Sequence, residues 1–276
     1  MSLVAELNEF MVKYRFKPNK KLSQHFLVNS PMIQKIVQAA DLKKNDVVLE
    51  VGAGTGFLTR ELQKHCKKVI AIEKDPLLFE LLEKELSPKN LELIQGDALK
   101  VKWPAFSKMV SLPPYNISSD LVYRLFEHDF EKACIVFQRE FVEKLSAEPG
   151  FLDFNALSAM TQYHTIPNQL FLVSNQCFFP KPPGFSALIE LKKKKRYGTA
   201  QNDAVFRLFI KQLFRHKNKS ISNSLKLALP FLKKELKISE PKAKEILDNF
   251  SFSAEKTCAL EITLFVELFN ALYKNA

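Results

Sequence analysis

The run Val47-Val48-Leu49-Glu50-Val51, followed at once by Gly52-Ala53-Gly54-Thr55-Gly56, constrains this chain more than any other feature. Near-continuous aliphatic residues read as a strand buried on both faces, as in a parallel sheet. Three glycines at alternate positions then allow a tight turn at the strand's carboxyl end and close approach of a ligand to the backbone. The amphipathic stretch 58–66 reads as the helix that follows. This is the ligand-contacting corner of a doubly wound α/β sheet, which binds its ligands outside the carboxyl ends of the strands.

The glycine spacing narrows the ligand. A dinucleotide fingerprint needs Gly-x-Gly-x-x-Gly, but Phe57 stands where the third glycine would fall, and no Gly-Lys-Ser/Thr of a phosphate loop follows. A Gly-x-Gly-x-Gly turn preceded by an acid suits a nucleoside ligand without a pyrophosphate, such as S-adenosylmethionine. Downstream, strands are expected at 69–73, 91–97, 108–111, 132–137 and 187–192. Helices are expected at 31–40, with Ser30 as its cap and Pro31 at its first position, and at 77–86 and 121–128. This alternation implies a mostly parallel sheet. Glu50, Glu73 and Asp97 stand at three successive strand ends, where all would face the crevice. Glu73 is placed to accept ribose hydroxyls and Asp97 to accept from an adenine amino group.

Charge divides the chain unevenly. The net charge is +11, yet residues 1–185 carry 23 Lys+Arg against 21 Asp+Glu, and residues 186–276 carry 18 against 9. The run Lys192-Lys193-Lys194-Lys195-Arg196 marks the change. Beyond it the pattern is helical, at 204–214, 220–228, 232–236, 241–250 and 260–273. The expected division is a nucleoside-binding domain over 1–195, with a basic segment at Lys13–Lys21, and a helical basic domain over 196–276. A basic surface beside a nucleoside site suggests a polyanionic substrate, most simply nucleic acid. The four cysteines are widely spaced and the five histidines show no ligand spacing, so no metal is expected. No apolar run approaches a membrane span. Met1-Ser2-Leu3 leads into Glu6 and Glu9 rather than into a signal peptide, and a cytoplasmic protein is expected.

Ser111-Leu112-Pro113-Pro114-Tyr115-Asn116 is the second chemical centre. Two prolines stiffen the turn after the fourth strand and fix the direction of its carbonyls. Tyr115 offers a flat face on which a base could stack. A strand-end Pro-Tyr beside such a cofactor pocket suggests methyl transfer to an exocyclic amine. Phe178-Phe179-Pro180-Lys181-Pro182-Pro183 would close the other side of the base.

Taken in order, these stretches resemble the ribosomal RNA adenine dimethyltransferases of the KsgA type and, more distantly, the Erm methylases. The resemblance is carried by Lys21-Leu22-Ser23-Gln24-His25-Phe26-Leu27, the Glu-Val-Gly-Ala-Gly-Thr-Gly turn, Ile72-Glu73-Lys74-Asp75, Gln95-Gly96-Asp97-Ala98 and Pro114-Tyr115-Asn116-Ile117-Ser118-Ser119. It continues through Gln138-Arg139-Glu140, Phe179-Pro180-Lys181-Pro182 with Ser186-Ala187, and Phe214-Arg215-His216-Lys217-Asn218-Lys219-Ser220. That last stretch favours the ribosome-biogenesis branch, and the chain looks most like the archaeal form. The resemblance implies a Rossmann-like class I methyltransferase domain with a small all-helical C-terminal domain. It implies N6 dimethylation of two adjacent adenosines in a hairpin loop near the 3′ end of small-subunit rRNA, in an assembling subunit, using S-adenosylmethionine; a monomer is expected. By the same resemblance His25, Leu27, Gly52, Gly54, Glu73, Asp97 and Leu112 fall on cofactor-contacting positions. Pro113, Tyr115 and Phe178 fall on the catalytic turn and the aromatics around the target base. Arg215, Lys217 and Lys219 are expected RNA contacts.

One position departs from the family. Its turn reads Asn-Leu/Ile-Pro-Tyr, and alignment on Pro114-Tyr115 puts Leu112 in the place of Asn and Pro113 in the aliphatic place. Leucine cannot accept a hydrogen bond from the adenine amine. The Pro113 carbonyl still could, and Ser111 is a further candidate one residue out of register. Two other readings therefore stand beside the enzyme: a catalytically weak or inactive RNA-binding assembly factor of the same fold, and a small-molecule methyltransferase, which the basic C-terminal part disfavours.

Overall fold

The computed structural model describes residues 2–193 and 199–274. The chain forms two compact units. The first comprises Met1–Val142 and Pro167–Lys193, the second Glu143–Ile166 and Lys194–Ala276.

The first unit opens with helix α1 (Leu3–Lys13), capped by the Ser2 side chain, and a two-residue strand β1 (Phe26–Leu27). Helix α2 (Ser30–Ala39) starts one residue earlier than the sequence suggests: Asn29, not Ser30, is the cap, accepting from the Met32 N–H at 2.9 Å. Then come β2 (Val47–Val51), α3 (Phe57–Leu62), β3 (Lys68–Glu73), α4 (Pro76–Glu85), β4 (Leu91–Gln95), β5 (Lys108–Ser111), α5 (Ser118–Phe126) and β6 (Lys132–Gln138). Helices α6 (Arg139–Ser146) and α7 (Ala156–His164) precede β7 (Thr165–Val173), the short β8 (Phe178–Phe179) and β9 (Ser186–Lys193).

The seven-stranded sheet runs β4-β3-β2-β5-β6-β9-β7. Strands β4 to β6 in that order pair in parallel, and β9 lies antiparallel on β6. Strand β2 is central: Val48, Leu49 and Val51 are all at most 1% exposed, as a strand covered on both faces requires. The chain leaves β2 for β3 on one side and returns to β5 on the other. That reversal opens a crevice at the strands' carboxyl ends. The pair β1–β8 lies outside this sheet, with Phe26 opposite Phe179 and Leu27 opposite Phe178.

The second unit is helical: α7, α8 (Asp203–Phe214), α9 (Ile221–Leu236), α10 (Glu240–Asp248) and α11 (Ile262–Lys274). Its core is aromatic, with Phe206, Phe209, Phe265 and Phe269 fully buried. Helix α9 is continuous where two segments were expected, and it passes through Pro230. Leu225, Leu229, Leu232 and Leu236 form one buried stripe along it, and their burial offsets the lost backbone bond.

The division differs from a single cut after residue 195. Residues 143–166 belong with the helical unit, because Tyr163 packs on Phe206 at 4.9 Å between ring centroids. Its hydroxyl also donates to Asp203 at 2.8 Å and accepts from the Ala200 N–H at 3.0 Å. The Lys194–Arg196 part of the basic run lies outside the described residues. No helix among the described residues is long and apolar enough to cross a membrane.

Candidate active site

A cavity of about 890 Å³, counted out to its open mouth, lies in the first unit. It gathers His25, Gly52, Gly54, Glu73, Asp97, Leu112, Pro113, Tyr115 and Phe178 from the far-separated stretches that the sequence singled out. Ile72, Leu78, Ala98 and Val136 supply its apolar surface. Leu27 is not in the lining: it is 7% exposed and paired with Phe178 behind it.

The glycine turn is shaped by what presses on it. Gly52 has φ +76°, and a Cβ there would lie 3.0 Å from Pro114 Cδ, so the Pro-Pro turn packs directly on its backbone. Gly54, at φ +59°, points its N–H at Glu73 Oε2, 2.8 Å away. Glu73 Oε1 accepts from the Lys74 and Asp75 N–H groups, each at 2.8 Å. Burial holds the Glu73 carboxyl above the usual range, against the pull of these three N–H donors. Each carboxylate oxygen can accept about two bonds, so Oε2 keeps one acceptor site for a ribose hydroxyl.

Asp97 is arranged otherwise. Its Oδ1 accepts from the Leu99 N–H at 2.9 Å and its Oδ2 pairs with Lys74 Nζ at 3.0 Å. The Leu99 N–H and the Lys74 ammonium hold its carboxyl below the ordinary range despite partial burial. Lys74 is a site residue that the sequence reading passed over, although it sits inside the quoted Ile-Glu-Lys-Asp stretch.

Glu50 does not face the crevice. It is 1% exposed, absent from the cavity lining, and its Oε2 has no hydrogen-bond partner among the described residues. Burial pushes its carboxyl up to about 8, and the neighbouring Glu73 adds to the shift. Alternation explains the misreading: Glu50 lies within β2, one residue short of the strand's end.

The aromatic wall is cross-braced. Tyr115 Oη lies 2.6 Å from Ser186 Oγ, and the His25 ring stacks near Tyr115 with centroids 5.9 Å apart. His25 Nδ1 is 2.7 Å from the Pro180 carbonyl, which ties the Gln-His-Phe-Leu stretch to the Phe-Phe-Pro-Lys stretch. Phe178 is 3% exposed, so it is a fixed wall.

The turn itself decides which acceptors remain. Ser111 is fully buried, outside the lining, and its Oγ accepts from the Val51 N–H at 2.9 Å. It is therefore no substitute for the missing amide. Leu112 packs against the core and lines the cavity. Pro113 is buried at the cavity wall, and its carbonyl accepts no hydrogen bond from the described residues. Asn116, which the sequence reading left without a role, also reaches the lining.

In the second unit, Arg215 and Lys219 are exposed, with the Arg215 guanidinium 5.3 Å from the Phe231 ring centre. Lys217 differs. Its ammonium donates to the Leu152 and Phe154 carbonyls at 2.7 and 3.1 Å, bracing a loop of its own unit. Nothing in the sequence distinguishes this lysine from its neighbours.

A cavity at the carboxyl ends of a doubly wound sheet, lined by two acids and a Pro-Tyr turn, has the arrangement that a Rossmann-like methyltransferase requires. The ribosomal RNA adenine dimethylase family matches residues 15–258. A Pyrococcus furiosus protein described as a probable ribosomal RNA small subunit methyltransferase A is 40% identical over 257 residues, covering 91% of this chain and 90% of that protein. Among solved structures, a dimethyladenosine transferase from Plasmodium falciparum superposes with a TM-score of 0.79 at 27% identity, covering 87% of this chain and 94% of that one. The 23S rRNA methyltransferase ErmE superposes with a TM-score of 0.65 at 26% identity, covering 90% and 99%. The chain belongs to the ribosomal RNA adenine dimethylase family. It is an S-adenosylmethionine-dependent methyltransferase that acts on adenine in ribosomal RNA.

The residues present fit that cofactor, since a buried carboxylate with a spare acceptor site, an acid beyond it and apolar side chains between them match a nucleoside. Alanine at Glu73 strands three N–H groups on the cavity wall, whereas Asp97 stands in a more open place, and both acids are proposed as cofactor acceptors. Calorimetry should show a loss of about 2–3 kcal/mol in cofactor binding for Glu73→Ala and about 1 kcal/mol for Asp97→Ala. Unchanged affinity in both would remove these acids from the pocket.

Proposed function

We infer that the enzyme dimethylates N6 of two adjacent adenosines in a hairpin loop near the 3′ end of small-subunit rRNA, during assembly of the subunit. The observation that supports this is that Pro113 and Tyr115 both line the pocket that holds the two acids, and that the Pro113 carbonyl accepts no hydrogen bond from the described residues. Glu73 and Asp97 hold the nucleoside part of the cofactor, with the Gly52–Gly54 backbone beside them. Bound there, S-adenosylmethionine supplies an activated methyl on sulfonium. Tyr115 offers the target base a face and Phe178 bounds the space beside it. The Pro113 carbonyl accepts from the N6 amine and stabilises the positive charge that grows there. The enzyme acts as a cytoplasmic monomer on the precursor subunit. The assembly-factor reading rests on Leu112 alone, and the unengaged Pro113 carbonyl weighs against it.

The test is incubation with methyl-labelled cofactor and immature small subunits, followed by mapping of the label. Label on two neighbouring adenosines of the 3′-terminal hairpin is expected; label confined to another region of the rRNA would reject the assignment.

Arg215 and Lys219 are proposed as RNA contacts of the second unit. Their double alanine variant should bind RNA more weakly and with a salt slope reduced by about 1.5, at roughly 0.7–0.9 per lost phosphate contact. Lys217→Ala should instead lower the melting temperature, because two loop carbonyls lose their donor. Filter binding across a salt series and thermal melts separate the two effects. A Lys217→Ala chain of undiminished melting temperature would contradict the bracing role.

A further inference from the structure

The basic segment ahead of the cavity has no part in the site as described so far. Arg15, Lys17, Lys20 and Lys21 are all exposed, and none makes an ion pair or a side-chain hydrogen bond among the described residues. Other cations of the same unit are engaged: Lys13 with Glu85 at 2.6 Å, Arg60 with Glu6 at 2.6 Å, Lys68 with Glu92 at 2.6 Å. Four like charges within seven residues and without counter-charges repel one another, a cost that a bound polyanion would relieve.

The segment is held in place. Tyr14 and Phe16 alternate with the cations and are buried, and Phe16 meets Phe26 edge-on with ring centroids 6.1 Å apart. The Asn19 side chain accepts from the Lys21 N–H at 2.9 Å. Gln24 accepts from the Asn19 N–H at 2.8 Å and donates to Asp75, also at 2.8 Å. The chain then runs straight into Leu22–Phe26, which line the cavity. The β1–β8 pairing and the His25–Pro180 contact fasten this lip to the Phe178–Pro180 stretch.

Two large apolar side chains lie open beside the aromatic wall. Phe179 is 39% exposed and follows Phe178 of the lining, and Phe185 is 49% exposed and precedes Ser186, the hydroxyl partner of Tyr115. Exposed cations on the segment that leads into the cavity lip, and exposed aromatics on the stretches that pair with it or flank the aromatic wall, are the two components of a surface for unpaired nucleotides: phosphates meet the charges and bases stack on the rings.

We propose that the strip Arg15–Lys21, together with Phe179 and Phe185, is the RNA-binding surface of the catalytic unit. It takes the phosphates and unstacked bases that flank the target adenosine and so delivers that base to Tyr115. This rests on the reading of the substrate as a hairpin loop of rRNA.

The test replaces Arg15, Lys17, Lys20 and Lys21 together by glutamine, and Phe185 separately by alanine. The probe is a fluorescein-labelled RNA hairpin with adenosines in its loop, followed by anisotropy across a potassium chloride series. Calorimetry with S-adenosylmethionine and single-turnover methylation accompany it. The glutamine variant should bind the hairpin roughly 10- to 100-fold more weakly, with a salt slope shallower by about 2–3, as expected for four lost single-strand phosphate contacts. Its cofactor affinity and its rate at saturating RNA should stay within about twofold of the unaltered chain, because none of the four touches the reacting base. Phe185→Ala should weaken binding several-fold and leave the salt slope unchanged, since stacking releases no counterions. Unchanged hairpin affinity and slope in the glutamine variant overturns the proposal. So does a loss of cofactor affinity, which would make the strip part of the cofactor pocket, and so does weakened binding to whole subunits with hairpin binding intact, which would point to a protein contact. Failure of the unaltered chain to methylate hairpin or subunit would strike the substrate reading instead, while the binding series still decides the strip.

Discussion

Leu112→Asn should raise the single-turnover methylation rate by about two powers of ten, the usual worth of one transition-state acceptor. The acceptor proposed on the unaltered turn is the Pro113 carbonyl, since Ser111 is committed to the Val51 N–H. An asparagine at 112 adds a carboxamide oxygen on the same stretch of cavity wall. The amine develops positive charge only as the new N–C bond forms, so the gain belongs to the transition state. RNA and cofactor affinities should therefore hardly move. Leu112 also packs on the core, and the variant should melt slightly lower. Rapid-quench measurement of both chains at saturating RNA and cofactor reads the effect. A fast unaltered chain that gains nothing from Asn would show that the Pro113 carbonyl suffices, or that the Asn116 amide at the cavity mouth already serves.

Glu50→Gln should change how stability depends on pH. The Glu50 carboxyl stands at about 8 in the folded chain against an ordinary value of 4.5, chiefly because burial penalises its charged form. The folded state thus holds the proton more tightly than the unfolded state. Stability from this group is present in full below the unfolded value and is lost as pH rises through about 8. Glutamine keeps the shape and cannot ionise. The variant should match the wild type near pH 5 and exceed it at pH 9, by a margin on the order of 3 kcal/mol in unfolding free energy. Denaturant unfolding at a series of pH values gives the difference directly. Two parallel curves from pH 5 to pH 9 would mean that Glu50 is ionised and paired in the folded protein.

Much of the site could be read from the sequence because its chemistry is local to short stretches. Gly52 and Gly54 are needed by backbone approach at single positions, and Glu73 and Asp97 follow strands whose apolar runs are unmistakable. The Leu112 departure is visible because prolines fix the register of the turn. What escaped depends on long-range partners. The pair β1–β8 has only two residues in each strand and carries no periodicity. Residues 139–164 carry two helices directly after β6, with neither glycine nor proline between Gln138 and Arg139, and the membership of residues 143–166 in the helical unit depends on Tyr163 meeting Phe206. Lys217 looks like any lysine of a basic run until its ammonium is found on two loop carbonyls. Glu50 reads as a strand-end acid, and only the packed sheet shows that it is enclosed.

The central claim is that the acid-lined pocket and the Pro113–Tyr115 wall together carry out chemistry on adenine N6. It is tested most directly by digesting rRNA from small subunits treated with the enzyme and identifying the methylated nucleoside by mass spectrometry, for the unaltered chain and for Tyr115→Ala. The account predicts N6,N6-dimethyladenosine from the unaltered chain. Tyr115→Ala should lose most of this product while its calorimetric affinity for S-adenosylmethionine is retained, because the tyrosine is proposed to face the base and Glu73 and Asp97 to hold the cofactor. A methyl found on a pyrimidine or on ribose, or undiminished dimethyladenosine from Tyr115→Ala, would contradict it.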